Sequence, residues 1–368
     1  MVDSLLALCA RSEGHSVQRQ RLAIQAQHYE DWPTLPQRAE MMAMAPLVYA
    51  HLQAAAIALP DDLQRALAGL TLRHRQANII RYTVLAEILS ALKDDDIEVL
   101  VLKGAALALT VYPQPGLRPM RDMDILVRES DALRAQMILV ELGFMASTPR
   151  SIEISDGHHL PVAQRVVDGL KVSVEVHHRL LPFTPNLFNY EWLSMSAISF
   201  SINEVAAQTP SHEIMLWHIY RHSFAYPSIT QSIRLIWVAD FVSLVEKHVE
   251  EIDWKLVKTK YPQVWQVLPV FHFLTPWSEE VVDRLQIVVD PPPKGIGISF
   301  QGWPKSSVVE QKQKGIRRFL RDTFWPTEWW TWLYYGVNHR TIKWWWIRMV
   351  RHPLHIAGWV LQYLRKQL

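Results

Sequence analysis

The strongest constraint on this chain is a pair of acids set one residue apart in a run that otherwise reads as buried strand: Asp122-Met123-Asp124-Ile125-Leu126-Val127. In a strand, residues i and i+2 share a face. Asp122 and Asp124 then project together, while Met123 and Ile125 point to the opposite, core face. Two adjacent carboxylates repel each other unless they are solvated or bridged by a cation. Hard carboxylate oxygens suit Mg²⁺. The alternative is a solvated strand end carrying two exposed acids.

A second run bears on that choice. Lys171, Ser173, Glu175 and His177 alternate with Val172, Val174 and Val176. The valines make a core face and leave a polar face with a carboxylate at its centre. If this strand neighbours the first, Glu175 joins Asp122 and Asp124, and three acids on adjacent strands suit a two-metal site for phosphoryl or nucleotidyl chemistry. A third element is Leu102-Lys103-Gly104-Ala105, a strand that enters a helix through glycine. Glycine lets the backbone approach a phosphate, and a helix N-terminus offers free N–H groups and positive potential.

Around these motifs the chain changes texture twice. Residues 1–95 read as helical: one helix over 35–52, one starting at Pro60-Asp61-Asp62 and running to Leu70 or beyond, and another over 77–92. Residues 97–102 and 122–127 read as strands, 105–112 and 130–142 as helices, and 113–119, with three prolines and a glycine, as loop. Asp168-Gly169 between two alternating runs, 159–167 and 171–177, is a hairpin signal. After Pro210 helical periodicity returns over 211–222 and 232–248. The tail from 311 reads as two or three helices broken at Pro326 and Pro353.

Taken together, the motifs resemble the polymerase-β-like nucleotidyltransferase superfamily. More closely, Leu102-Lys103-Gly104-Ala105-Ala106-Leu107, Gly116-Leu117-Arg118-Pro119-Met120-Arg121-Asp122-Met123-Asp124, Glu141-Leu142-Gly143-Phe144, His158-His159-Leu160-Pro161 and Val174-Glu175-Val176-His177-His178-Arg179-Leu180 resemble the uncharacterised bacterial family often labelled NTP-transferase 5. The turn here is Gly-Ala where the superfamily usually has Gly-Gly or Gly-Ser, and the gap to the first aspartate is longer. The resemblance implies an α+β fold: a small mixed β-sheet nucleotidyltransferase core at 96–200, a helical segment at 1–95, a helical domain at 201–300 and a basic, Trp-rich helical tail at 301–368. It implies that Asp122 and Asp124 hold Mg²⁺ (or Mn²⁺) against an NTP, with ATP the expected one. Glu175 completes the metal site and orients or deprotonates the acceptor hydroxyl. Lys103, Gly104, Ala105, Arg118 and Arg121 are the expected nucleotide-binding residues, with solvated loop arginines and a strand-end lysine as alternatives. His159 and His177 are candidates for the layer behind the metal ligands. Adjacent strand residues face opposite ways, so at most one of His158-His159 and one of His177-His178 is expected to face a common site. Asp240, in an apolar helix, is expected to be held by a salt bridge, and Arg234 lies too far along the helix to provide it.

Composition sharpens the remaining questions. Lys and Arg (38) nearly balance Asp and Glu (36), so no global field argues for nucleic acid. The balance conceals two unlike parts: residues 301–368 carry 12 Lys/Arg against 3 Asp/Glu, and the rest carries 26 against 33. Nine of the 16 tryptophans lie in that basic tail, where they either pack on the helical domain or meet an anionic membrane surface, an acidic partner or nucleic acid. A non-catalytic binding module acting through this tail is the competing reading of function. One cysteine and no apolar run of spanning length are the features expected of a cytoplasmic protein with no transmembrane segment. No motif identifies the acceptor.

Overall fold

A computed structural model describes residues 3–147, 157–181, 188–225, 234–288, 291–296, 315–338 and 341–367. The N-terminal region folds as α1 (Ser4–Leu8), α2 (Ser16–Gln27), α3 (Leu35–Met41), α4 (Ala45–Ala54) and α5 (Asp61–Asp94). The single helix expected over 35–52 is two, because Pro46 has no N–H for the carbonyl of Met42 and the chain turns at Ala43 with φ +57°. Conversely, the two helices expected between 61 and 92 are one of 34 residues. Gly69 lies on an open side of it, and a buried stripe through Leu67, Asn78, Tyr82, Leu85 and Leu89 carries the helix past its weaker stretch.

The sheet has six strands in the order β3-β4-β2-β1-β6-β5: β1 (Leu100–Leu102), β2 (Met123–Leu126), β3 (Ala163–Val167), β4 (Leu170–His177), β5 (Ile198–Ile202) and β6 (Val205–Thr209). It is mixed: β2 runs antiparallel to β1 but parallel to β4. The β3–β4 hairpin turns at Asp168 and Gly169, both with positive φ, as a two-residue primed turn requires. The β5–β6 hairpin was not foreseen. It turns at Asn203 and Glu204, also at positive φ but without a glycine to mark the turn. The sheet therefore runs to Thr209, past the boundary expected near 200.

Alternation sorts each strand between two layers. Val101, Met123, Ile125, Val172, Val174 and Val176 enter the main core, where α5 and α7 (Ala132–Glu141) pack on the sheet. On the other face Leu100, Leu102 and Leu126 form a smaller apolar cluster with Leu180, Tyr190, Leu193 and Ile214. That second face also carries Asp124. Between β1 and β2 the chain passes through α6 (Lys103–Thr110) and a short 3₁₀ turn in the proline-rich loop.

A short helix α8 (Tyr190–Ser194) precedes β5, and after β6 the described elements are helical: α9 (His212–Tyr220), α10 (Leu235–His248), α11 (Trp254–Lys260), α12 (Pro262–Phe271), α13 (Glu279–Leu285), then α14 (Ile316–Phe324), α15 (Glu328–Tyr335), α16 (Ile342–Trp346) and α17 (His352–Gln367). The start of the helix expected over 232–248 is seen at Leu235, residues 232 and 233 lying outside the described ones. Trp329, Trp330 and Trp332 are buried on α15, and Trp332 donates its indole N–H to the carbonyl of Gln266 on α12 at 2.8 Å. No described helix is long and apolar enough to cross a membrane.

Candidate active site

The parallel pairing of β2 with β4 sets Asp124 directly opposite Glu175. Both side chains therefore leave the sheet on one face at neighbouring positions, as the two alternating sequences require. Asp122 immediately precedes β2 and lines the same cavity of about 330 Å³, together with Lys103, Gly104, Arg118, Arg121, His158, His159, His222 and Arg234. The cavity lies between the sheet and three helical elements: Glu40 and His74 reach it from the N-terminal region, His222 from the turn after α9, and Trp237 and Asp240 from α10. Its volume is within the range of small-ligand sites.

Asp124 is the most tightly held acid. Lys103 Nζ donates to its Oδ1 at 3.0 Å, and His177 Nε2 lies 2.8 Å from the same oxygen. Burial opposes ionisation, but the Lys103 ammonium and the His177 ring outweigh it and hold the carboxyl well below the usual range. His177 is wholly buried, and its Nε2 also lies 3.4 Å from Glu175 Oε2. Burial disfavours its cation, yet its bonds to Asp124 and Glu175 raise its pKa above the ordinary value. Asp122 differs. It forms no ion pair with any described residue, and its pKa is raised, first by desolvation and then by the charge of Asp124.

Lys103 takes up its position through an unusual backbone: φ is +46°, a region that non-glycine residues seldom enter. This kink between β1 and α6 aims the side chain at Asp124. The next residue, Gly104, does something the sequence did not foretell. A Cβ there would overlap the guanidinium of Arg118. The glycine thus makes room for an arginine at the start of α6. Arg118 is in turn fixed by Asp240, with Nε at 3.1 Å from Oδ1 and Nη2 at 2.6 Å from Oδ2, and Tyr112 donates to Asp240 Oδ1 at 2.8 Å. The salt bridge expected for Asp240 is this one. Arg118, read as a nucleotide ligand, lines the cavity but spends most of its donors on Asp240 and on the carbonyl of Pro119. Ala105 is buried behind it.

Among the histidines, the expectation that only one of each adjacent pair faces the site fails for the first pair. His158 and His159 both line the cavity, because this segment meets β4 only through an isolated bridge, His159 to His177, and is not a regular strand. His158 is driven down to about 2 by burial and by its neighbours His177 and His159. Of the second pair neither lines the cavity, and only His177, buried beneath Asp124 and bonded to it, touches the site.

Three further residues near the site were not expected there. Arg234, which caps α10, lines the cavity with its guanidinium 4.9 Å from the Trp237 ring; burial and the like charge of Arg121 lower its pKa. His222 is pushed down to about 3 by burial and by Lys103. Arg81 on α5 is buried, leaves Nε and Nη1 without partners, and feels the charge of Asp122. Only Arg81 left a sequence signal, a charge on the apolar stripe of a long helix.

Asp124, Glu175 and His177 each offer a ligand atom, all within 4.8 Å of one another, so the donor set fits a divalent cation. Among solved structures, similarity extends to antibiotic-resistance factor ANT(2'')-Ia, 12% identical over 53% of this chain and 97% of that one, with a TM-score of 0.35. It also extends to an antigenic nucleotidyltransferase-like protein from Paracoccidioides brasiliensis, 15% identical over 55% and 96% with a TM-score of 0.34. No curated protein matches the sequence. The family described as "Uncharacterised nucleotidyltransferase" matches residues 28–274, a span that contains the whole cavity and all three acids. On that match, over most of its length, the chain belongs to the uncharacterised nucleotidyltransferase family.

Proposed function

We propose that the chain moves a nucleoside monophosphate from an NTP to a hydroxyl or phosphate acceptor, releasing pyrophosphate, and that it does so with Mg²⁺ or Mn²⁺ as a member of the polymerase-β-like superfamily. The observation that carries this reading is the register of β2 on β4, which sets Asp124 against Glu175 beside Asp122 in a cavity that Lys103, Arg118, Arg121, Arg234 and four histidines also line. Asp124 and Glu175, two of the three clustered donors, would hold the metal, with Asp122 on the same cavity wall as the third carboxylate. When bound, it supplies positive charge against the oxygens of the triphosphate and of the leaving pyrophosphate.

The chain's own residues do the rest. Arg121 lies close enough to Arg234 to disfavour the charge of Arg234, an arrangement that a phosphate between them relieves. Lys103, which meets Asp124 Oδ1 at 3.0 Å on the cavity wall, would turn its ammonium to a phosphate oxygen of the bound nucleotide. Glu175, one-fifth exposed at the cavity, accepts the proton of the acceptor hydroxyl as that oxygen attacks the α-phosphorus in line. His177 holds Asp124 and Glu175 in place from behind.

The test incubates the protein with each α-labelled NTP, Mg²⁺ or Mn²⁺ and a cell lysate, with a γ-labelled control. Transfer of the α-label and its loss in Asp122→Asn support the proposal. Transfer of the γ-label alone means phosphoryl transfer, and no NTP binding at millimolar Mg²⁺ refutes the proposal outright.

A further inference from the structure

The C-terminal helix is apolar on two opposite sides. Its inner side packs: Trp344 and Ile347 are buried, as are His352 and Ile356 on α17. His352 donates from Nε2 to the carbonyl of Thr323 at 2.8 Å, and its Nδ1 lies 2.9 Å from the hydroxyl of Tyr335. The outer side carries Ile342, Trp345, Trp346, Met349, Val350 and Leu354, all exposed; Ile342 is 91% exposed, Trp345 57% and Trp346 53%. Leu361 and Leu364 continue the stripe. The spacing 342, 345, 346, 349, 350 is one helix face. A π-helical turn at Ile347–Arg351 joins α16 to α17. The five-residue step from Ile347 to His352 keeps the inner side facing inward across that turn. The outward stripe is thus not a by-product of poor packing, since the same helix buries another face well.

Charge says what the stripe meets. From Trp329 to the last residue the sequence has no Asp or Glu, and it has Arg340, Lys343, Arg348, Arg351, Arg365 and Lys366. Lys343 is exposed beside the stripe, and Arg348 is stacked at 4.6 Å on Trp325 and 4.8 Å on Trp344. Exposed indoles next to cations, on a helix too polar to span, are what a helix lying in an anionic headgroup layer presents. Self-association through this face would bring like charges together.

We propose that the outer face of residues 342–364 docks the protein on an anionic lipid surface. The helix lies in the plane of the headgroups with Trp345 and Trp346 inserted and the basic side chains at the phosphates. The docking is independent of the nucleotide chemistry proposed above, because no residue of this face lines the cavity.

The test is co-sedimentation of the full-length protein with vesicles of phosphatidylcholine alone and with 40% phosphatidylglycerol, at about 0.1 M salt. At least tenfold tighter binding to the anionic vesicles is expected, with a blue shift of tryptophan emission. Trp345→Ser with Trp346→Ser should weaken binding at least tenfold without lowering the thermal midpoint. Lys343→Glu with Arg351→Glu should abolish the preference for anionic lipid. Absence of vesicle binding overturns the proposal. So does binding that both double variants leave unchanged, or a dimer in sedimentation velocity that only the Trp345/Trp346 variant dissolves.

Discussion

The sheet face and the C-terminal helix invert each other. On the sheet, charge is buried: Asp124 and His177 are nearly inaccessible, and each is met by opposite charge within hydrogen-bond reach. On the helix, hydrocarbon is exposed, and a run of about forty residues carries cations and no acid of its own. Both depart from the ordinary rule that charge faces water and apolar groups do not. The difference lies in where the compensation comes from. The sheet supplies most of its counter-charges from within the fold, whereas the helix leaves its compensation to something outside.

Substitutions break this contrast at different points. The largest effect is expected in the cavity. Asp124→Asn removes the charge on which Lys103 and His177 converge, and transfer of an α-labelled nucleotide should fall by roughly 10³-fold, the equivalent of about 4 kcal/mol. A fall below tenfold would detach Asp124 from the chemistry. Next is the counter-charge beneath it. Asp240→Ala leaves the Arg118 guanidinium buried without its partner, and urea unfolding should show a loss of about 3–5 kcal/mol. Asp240→Asn keeps the shape and should cost less. If Asp240→Asn unfolds like the unchanged protein, the ion pair contributes nothing beyond packing.

Acid sharpens the comparison more gently. His51 on α4 and His352 on α17 are buried neutral and lowered to about 4, chiefly by desolvation. Their pKa values rise to the ordinary 6.5 on unfolding, so the unfolded chain binds more protons. Stability is fully present above about pH 6.5 and is lost as pH falls toward 4. At pH 5 the loss is about 2 kcal/mol for each, read from unfolding midpoints between pH 7 and 5. A flat profile would mean these rings find other partners when charged. The smallest effect belongs to the outer helix face. Trp345→Ser should change stability by less than about 0.5 kcal/mol, whereas Trp344→Ser, one residue away and buried, should cost several times more. Equal losses would mean that the two faces of the helix are not distinct.

How far the sequence reaches depends on whether a feature is local. The alternation of Asp122, Asp124 and Glu175 with apolar neighbours predicts which side of each strand they occupy, and the structure brings the two strands together in the register that makes this useful. Asp168-Gly169 announced its hairpin, but Asn203-Glu204 did not, because the left-handed pair there carries no glycine. The cations were less legible. Arg81 shows only as a charge on the apolar stripe of α5, and nothing near Arg234 in the chain marks it, since it is α10 that brings it to the cavity. Gly104 was read as a place where a phosphate approaches the backbone. The approaching group is the chain's own Arg118.

That contact limits how the molecule can be divided. Arg118 sits in the loop before the acidic strand, and its counter-ion, Asp240, arrives 122 residues later on α10. A fragment ending after the sheet would keep every carboxylate of the proposed metal site and every strand that presents them. It would also hold a guanidinium pressed against the start of α6 with no acid to answer it, on the wall of the very cavity it helps to shape. The nucleotidyltransferase motif of this chain is therefore not a cassette. Shuffling it between proteins requires α10 to travel with it, and a swap that brings a different helix must bring an acid at the position of Asp240.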